Sequence, residues 1–422
     1  MKRFAIPKSA LVFYLLSSAG ILFSLALAYR THGAAIAGMS TANSDTFMDF
    51  FNHIAYARTC SEVYSTSPHA NFPPLIYIFY HILFRLLPDG SVAMFNPAAT
   101  AGNAYLYYVI YCCALCVLLY ACINAHLHAR SGVEKLWLAL LLIFSAPFFL
   151  GVLMTGNAVS LVLLLLLAAA LLRESDRWYL RELALILVAA AAGCKIYACV
   201  FGLLYLAERR YREALRLMAY GLLAFFVPFI WFGGVNGFLQ FWNNLHTINA
   251  GTIGNPLPGI NGSIFASVQL PLQNSGMESA RLAWAGYIGV TVCAALSLVA
   301  LFMHQTTWKR LVLLAGMMCF LPIWSGYYTL CVFVLPLTAF LADPAAGARG
   351  PASIAYAVLF ALCFTLIAVP IPAYESAAGP PAHWLVRYLG AYGLFFSCMF
   401  EGMYSAICRL MRAVRHRRPS PA

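Results

Sequence analysis

Apolar runs separated by short polar segments recur from one end of the chain to the other. Leu11 to Tyr29 is nineteen residues without a charge, close to the roughly 20 residues of helix that cross a bilayer. Comparable runs continue to the C-terminus. The pattern predicts an all-α, polytopic membrane protein with about eleven to thirteen helical segments. Two runs do not fit a simple span. Leu75 to Leu87 is short and carries His81 and Arg85, so it reads as re-entrant, unless one of the basic loops assigned below lies outside. Leu183 to Ala207 has basic clusters at both ends and reads as two half-helices meeting at Gly193-Cys194-Lys195. Broken helices are tolerated at membrane depth where they are buried or line a cavity.

Composition strengthens this reading. The 422 residues are 63% hydrophobic and only 9% charged, with a mean hydropathy of +0.80, more apolar surface than a water-soluble domain can hide. The first run also has features of a secretory signal, with Lys2, Arg3 and Lys8 ahead of it and Ala26-Leu27-Ala28 as a cleavage-like site. Its length and the many runs that follow favour a span. Thirteen cysteines fall almost entirely inside apolar runs, Cys60 excepted. They suggest packing rather than disulfides or metal ligation.

The net charge of +12 is scattered through short loops, which points to orientation in a membrane rather than to nucleic acid. Basic clusters at the N-terminus, 126–135, 173–182, 208–216, 304–310 and 409–418 are expected in the cytoplasm. Stretches 30–74, 235–280 and 371–386 are then expected outside, joined by the short turns at 155–157 and 324–328. No internal repeat is visible, so residues 1–422 are expected to form one membrane-embedded domain. Its first outer loop is 30–74, its second 235–280, and its basic tail 409–422.

With fourteen acidic residues, elimination is practical. Glu134, Glu174, Asp176, Glu182, Glu208, Glu213 and Asp343 fall in expected cytoplasmic loops, mostly beside arginine. Asp49 stands apart, inside Phe47-Met48-Asp49-Phe50-Phe51, where aromatic neighbours raise the cost of a carboxylate unless something uses or neutralises it. Asp45, one helical turn earlier, suits a helix cap, as do Ser44 and Asn43. Lys195 in a run of small apolar residues is the other outlier, since a mid-membrane charge costs on the order of 2.5–3.5 kcal/mol on insertion scales. His53, His69, His81, Arg85 and His246 are further polar residues in outer or interfacial positions. No phosphate loop, serine-hydrolase elbow or histidine metal motif is present.

The order of short motifs resembles glycosyltransferase family 87, within the GT-C superfamily of polyprenyl-phosphate-sugar-dependent enzymes. These are Asp49-Phe50, Val63-Tyr64, Asn71 to Tyr77, Thr155 to Asn157, Cys194 to Tyr197, Asn261 to Val268 and Pro322 to Pro336. The resemblance spans about residues 11–336. Departures from the family pattern are Asn71-Phe72 at the proline turn, Asn157 for Gln, Ala198 for Pro, Gly262 for Gln, and Gly326-Tyr327 where the family tends to have Asp-His. Asn261-Gly262-Ser263 also matches a glycosylation sequon, but lies within this family-like stretch.

The resemblance implies a GT-C-like architecture, with re-entrant or interfacial helices in the first outer loop. It implies inverting transfer of a sugar from a polyprenyl-phosphate donor to a lipid-linked or cell-envelope glycan at the outer face, with Asp49 as general base. Lys195, Asp45, His69, Asn157, Tyr197, His246 and Tyr327 are the expected donor-phosphate or substrate contacts. Tyr327 or His246 would stand in for the family's histidine. No cofactor is implied, and a divalent cation stays open. The expected partners are donor, acceptor and membrane lipid, with no nucleic acid. The expected setting is a bacterial inner membrane with a periplasmic site. The competing readings are a flippase or transporter of lipid-linked sugars and a catalytically inactive glycolipid-binding relative.

Overall fold

The computed structural model describes residues 6–33, 47–87, 90–94, 96, 100–254, 261–275, 277–348, 350–366 and 382–416. No strand occurs among them. Among the described residues five helices are long and apolar enough to cross a membrane: Lys8–Arg30, Gly102–His126, Tyr211–Ile230, Ser279–Met303 and Tyr388–Ala413. A sixth forms if Gly132–Ile143 and Ala146–Leu153, bent by 54°, count together. The bend falls where Pro147 enters, which cannot donate to the preceding turn. In each of the five spans at most a third of the apolar window is buried within the protein. Leu22, Phe23, Val117 and Ile288 therefore point outward, as lipid-facing residues do.

Between these spans lie three helical hairpins whose tips stop inside the molecule. The first climbs through Gly132–Ile143 and Ala146–Leu153, turns at Thr155-Gly156-Asn157, and returns as Val159–Leu172. The second climbs as Trp178–Cys194, breaks at Lys195, and returns through Ile196–Gly202 and Leu203–Ala207. The third climbs as Thr307–Phe320, turns at 321–326, and returns through Tyr327–Phe333 and Val334–Ala342. A seventeen-residue leg such as Trp178–Cys194 rises about 25 Å, short of the roughly 30 Å hydrocarbon core. The tips therefore belong near one face without passing through it.

The bases of all three hairpins meet in a lattice of charge. Arg173, at the end of the first, binds Glu208, at the end of the second, through two hydrogen bonds of 2.9 and 3.0 Å. Arg310, at the start of the third, stands 3.6 Å from Glu208. Arg130, ahead of the first, donates to the Leu341 carbonyl at the end of the third at 2.8 Å. Leu183 to Ala207 is thus two half-helices with both ends on the same side, as its flanking charges imply. The basic loops around 126–135, 173–182, 208–216 and 304–310 share that end of the molecule.

The short Leu75 to Leu87 run also finds its place. The Pro74–Leu86 helix touches Gly193 at the tip of the second hairpin through Leu75. At its other end the Leu86 carbonyl accepts from the Tyr107 hydroxyl, near the start of the Gly102–His126 span. Both ends lie in the half of the molecule that holds the hairpin tips, so this helix does not cross. The two stretches expected outside, 30–74 and 235–280, clasp each other there. The buried Asn244 side chain on the Gly234–Gly254 helix donates to the carbonyls of Tyr64, Ser67 and Ala70. The third expected outer stretch, 371–386, falls mostly outside the described residues, as do Lys2, Arg3 and the tail beyond 416.

Candidate active site

The expected first outer loop contains a short helix, Met48–Tyr56, whose N-terminus docks on the tip of the first hairpin. The opening N–H groups of a helix lack partners within it. Here Phe47 N–H reaches the Met154 carbonyl at 2.7 Å and Asp49 N–H the Thr155 carbonyl at 3.0 Å. Phe47, the N-cap residue, has φ +63°, a conformation that costs a bulky residue and survives where its surroundings impose it. Asp45 lies outside the described residues, as do Ser44 and Asn43. Gly156 explains how close the two parts come. Its φ is +76° and an added Cβ would lie 2.6 Å from the Phe50 Cβ, so only glycine fits. At Gly151 an added Cβ would lie 2.7 Å from the Tyr328 Cα, which seats the third tip against the first.

This docking brings together charges far apart in sequence. Asn157 donates through Nδ2 to Asp49 Oδ2 at 2.8 Å, and its Oδ1 accepts from Lys195 Nζ at 3.0 Å. The same oxygen accepts from the Val159 N–H at 3.0 Å. The amide cannot flip without turning both charged contacts repulsive. One side chain therefore holds a carboxylate and an ammonium in register while keeping them from pairing directly. Lys195 is 4% exposed, yet it lies between the rings of Phe72 and Tyr328, 4.9 and 4.6 Å from their centroids. Such faces attract a cation, and with the Asn157 contact they offset part of its desolvation.

These groups line one cavity of about 560 Å³. Asp49, Asn157, Lys195, His69, Tyr197 and Tyr327 all reach it. His69 is at its exposed rim. Tyr327 is buried and gives its hydroxyl to the Leu150 carbonyl at 3.0 Å. His246 stands apart, exposed on the Gly234–Gly254 helix with its ring against Trp242. Its neighbours Leu245 and Ile248 face the cavity instead, because successive helical residues are turned by about 100°. Residues not among the expected substrate contacts join the lining: Asn52, Tyr56, Phe72, Thr155, Trp324 and Tyr328. The aromatic ones supply flat apolar faces of the kind a sugar ring lies against.

His53 also lines the cavity. It stacks on Phe72 at 4.2 Å and on Tyr80 at 5.4 Å, and Nδ1 pairs with the Tyr77 hydroxyl at 3.0 Å. Burial pushes its imidazole down to about 3, with the charges of Lys195 and His69 acting in the same direction. It is neutral near pH 7, so Lys195 is the buried cation of this wall. Among the described residues no group of three His, Cys, Asp or Glu side chains is close enough to hold a metal ion.

Residues 86–326, more than half of the chain, match the family model of glycosyltransferase family 87. The chain belongs to that family. The match includes Asn157 and Lys195 and begins after Asp49, so the place of Asp49 beside them is known from geometry alone. No curated protein matches the sequence.

Proposed function

From membership in glycosyltransferase family 87, we propose that this protein transfers a sugar from a polyprenyl-phosphate donor to a glycan or lipid-linked acceptor, with inversion, in the cavity at the hairpin tips. The observation that carries this reading is the Asp49–Asn157–Lys195 chain, a carboxylate and an ammonium held at opposite ends of one amide inside one aromatic-walled cavity. Asp49 takes the proton of an acceptor hydroxyl as its oxygen attacks the anomeric carbon. The bond from that carbon to the phosphate oxygen breaks, and the electron pair leaves with polyprenyl phosphate. Lys195 has three donors and gives one to Asn157, so it can hold the charge that gathers on the departing phosphate. A phosphate leaving group needs that charge stabilised rather than protonated, so a second carboxylate is unnecessary.

The arginine-rich hairpin bases face the cytoplasm under the positive-inside rule, so the cavity faces outward, into the periplasm if the membrane is a bacterial inner membrane. His69 and Tyr197 are the contacts we assign to sugar or phosphate. Purified protein in detergent, given labelled polyprenyl-phosphate sugars, should form new glycosidic bonds. Asp49→Asn should lower the rate about 10²–10⁴-fold with the fold retained. Full activity of that variant with every acceptor would refute the assignment of Asp49. Translocation in liposomes without any glycosidic bond would instead favour a transporter.

A further inference from the structure

The opposite end of the hairpins holds a second polar cavity, of about 910 Å³, in which sugar transfer has no part. Its walls carry Arg173, Arg209, Arg210, Arg310 and Arg409, against only two carboxylates, Glu174 and Glu208. Both carboxylates are already engaged. Glu208 takes both its short hydrogen bonds from Arg173, while Arg310 and Arg210 wait at 3.6 and 3.9 Å. Glu174 is shared by Arg173 and Arg210 at 2.9 and 3.1 Å. Arg210 also pairs with Glu213 at 2.6 Å, outside the lining, and five guanidiniums against these three carboxylates still leave the cavity an excess of positive charge.

Arg310 makes the imbalance specific. It is 7% exposed, lines the cavity, and its Nε has no hydrogen-bond partner among the described residues. An unused donor on a buried guanidinium is costly. At the rim, Arg409 from the last helix and Arg209 have no carboxylate within ion-pair distance among the described residues. Arg209 is held at φ +61° in the turn between the second hairpin and the next span.

We propose that this cavity binds a phosphate group at the membrane face opposite the transfer site. Planar guanidiniums converging from several helices suit the bidentate recognition of phosphate oxygens. The bound anion would complete the ties among the three hairpin bases and the last helix. Its chemistry is a phosphate ester, either the headgroup of an anionic phospholipid or a free phosphorylated compound.

Two arms of one experiment separate these sources. Full-length protein is stripped of lipid in detergent and titrated with inorganic phosphate at ionic strength held constant with chloride. In parallel it is reconstituted in phosphatidylcholine vesicles with and without phosphatidylglycerol. A saturable rise in melting temperature with inorganic phosphate identifies a free phosphate compound. A rise confined to phosphatidylglycerol identifies a headgroup. Arg310→Gln should weaken either response about tenfold or more. Arg409→Gln, at the exposed rim, should remain folded, weaken it severalfold, and leave sugar transfer in phosphatidylcholine unchanged. No response in either arm, or one that both variants keep in full, overturns the proposal.

Discussion

The two ends of the same three hairpins treat charge in opposite ways. At the bases, Arg173 and Glu208 meet directly, Arg310 stands beside the same carboxylate, and Arg210 pairs with Glu174 and Glu213. At the tips, Asp49 and Lys195 are held apart by the Asn157 amide. A directly paired charge stabilises structure, and at the bases only the excess on Arg310, Arg209 and Arg409 is left for an anion. A charge oriented by a neutral amide keeps its partner in reach and its reactivity intact. The bases act as a staple, and the tips hold chemistry in readiness.

Substitutions at the tips should therefore cost turnover, and those at the bases should cost stability. Lys195→Met should have the largest effect after Asp49→Asn, lowering kcat by about 10²–10³-fold as the phosphate charge loses its counter-charge. Single-turnover rates in detergent would reveal it, and an unchanged rate would place the leaving group elsewhere. Asn157→Asp should cost nearly as much, because it turns the relay into a direct ion pair with Lys195 and sets a second carboxylate beside Asp49. If that variant works at the native rate, separation of the two charges has no role.

Glu208→Gln tests the other end. Two or three guanidiniums would lose their shared carboxylate, so stability should fall by up to about 3–5 kcal/mol, with turnover per folded molecule nearly unchanged. A fall in turnover with no loss of stability would erase the contrast between the ends. His246→Ala should matter least. An exposed side chain turned away from the cavity should alter stability by less than about 0.5 kcal/mol and leave the rate within a factor of two.

Much of the fold was legible in the sequence because lipid imposes a simple rule on it. Long apolar runs become spans, and a charge inside one must be explained, so Lys195 announced the break in the second hairpin. The basic loops at 173–182, 208–216 and 304–310 announced a common end for the same reason. The short Leu75 to Leu87 run announced that it was re-entrant or that one basic loop lay outside, and the structure decides for the first. The site was legible only in part. Asp49 drew attention as a carboxylate among phenylalanines, and Asn157 through a family motif, but nothing in sequence said that one amide would bind both Asp49 and Lys195. Tyr327 and Tyr328 are adjacent, and only the course of the third tip turns Tyr328 toward Lys195 and gives the Tyr327 hydroxyl to Leu150.

The sequence by itself determined an all-helical membrane protein, the grouping of its basic loops, and the two charges that required an explanation. Each follows from the transfer cost of a residue into lipid, a property of local composition. The tertiary structure alone decided that three hairpin tips and the Met48–Tyr56 helix line one cavity, and that His246 is left outside while Phe72 and Tyr328 enclose Lys195. Those outcomes rest on close approaches at Gly151 and Gly156 and on the rotation of single residues about a helix axis, which composition does not encode.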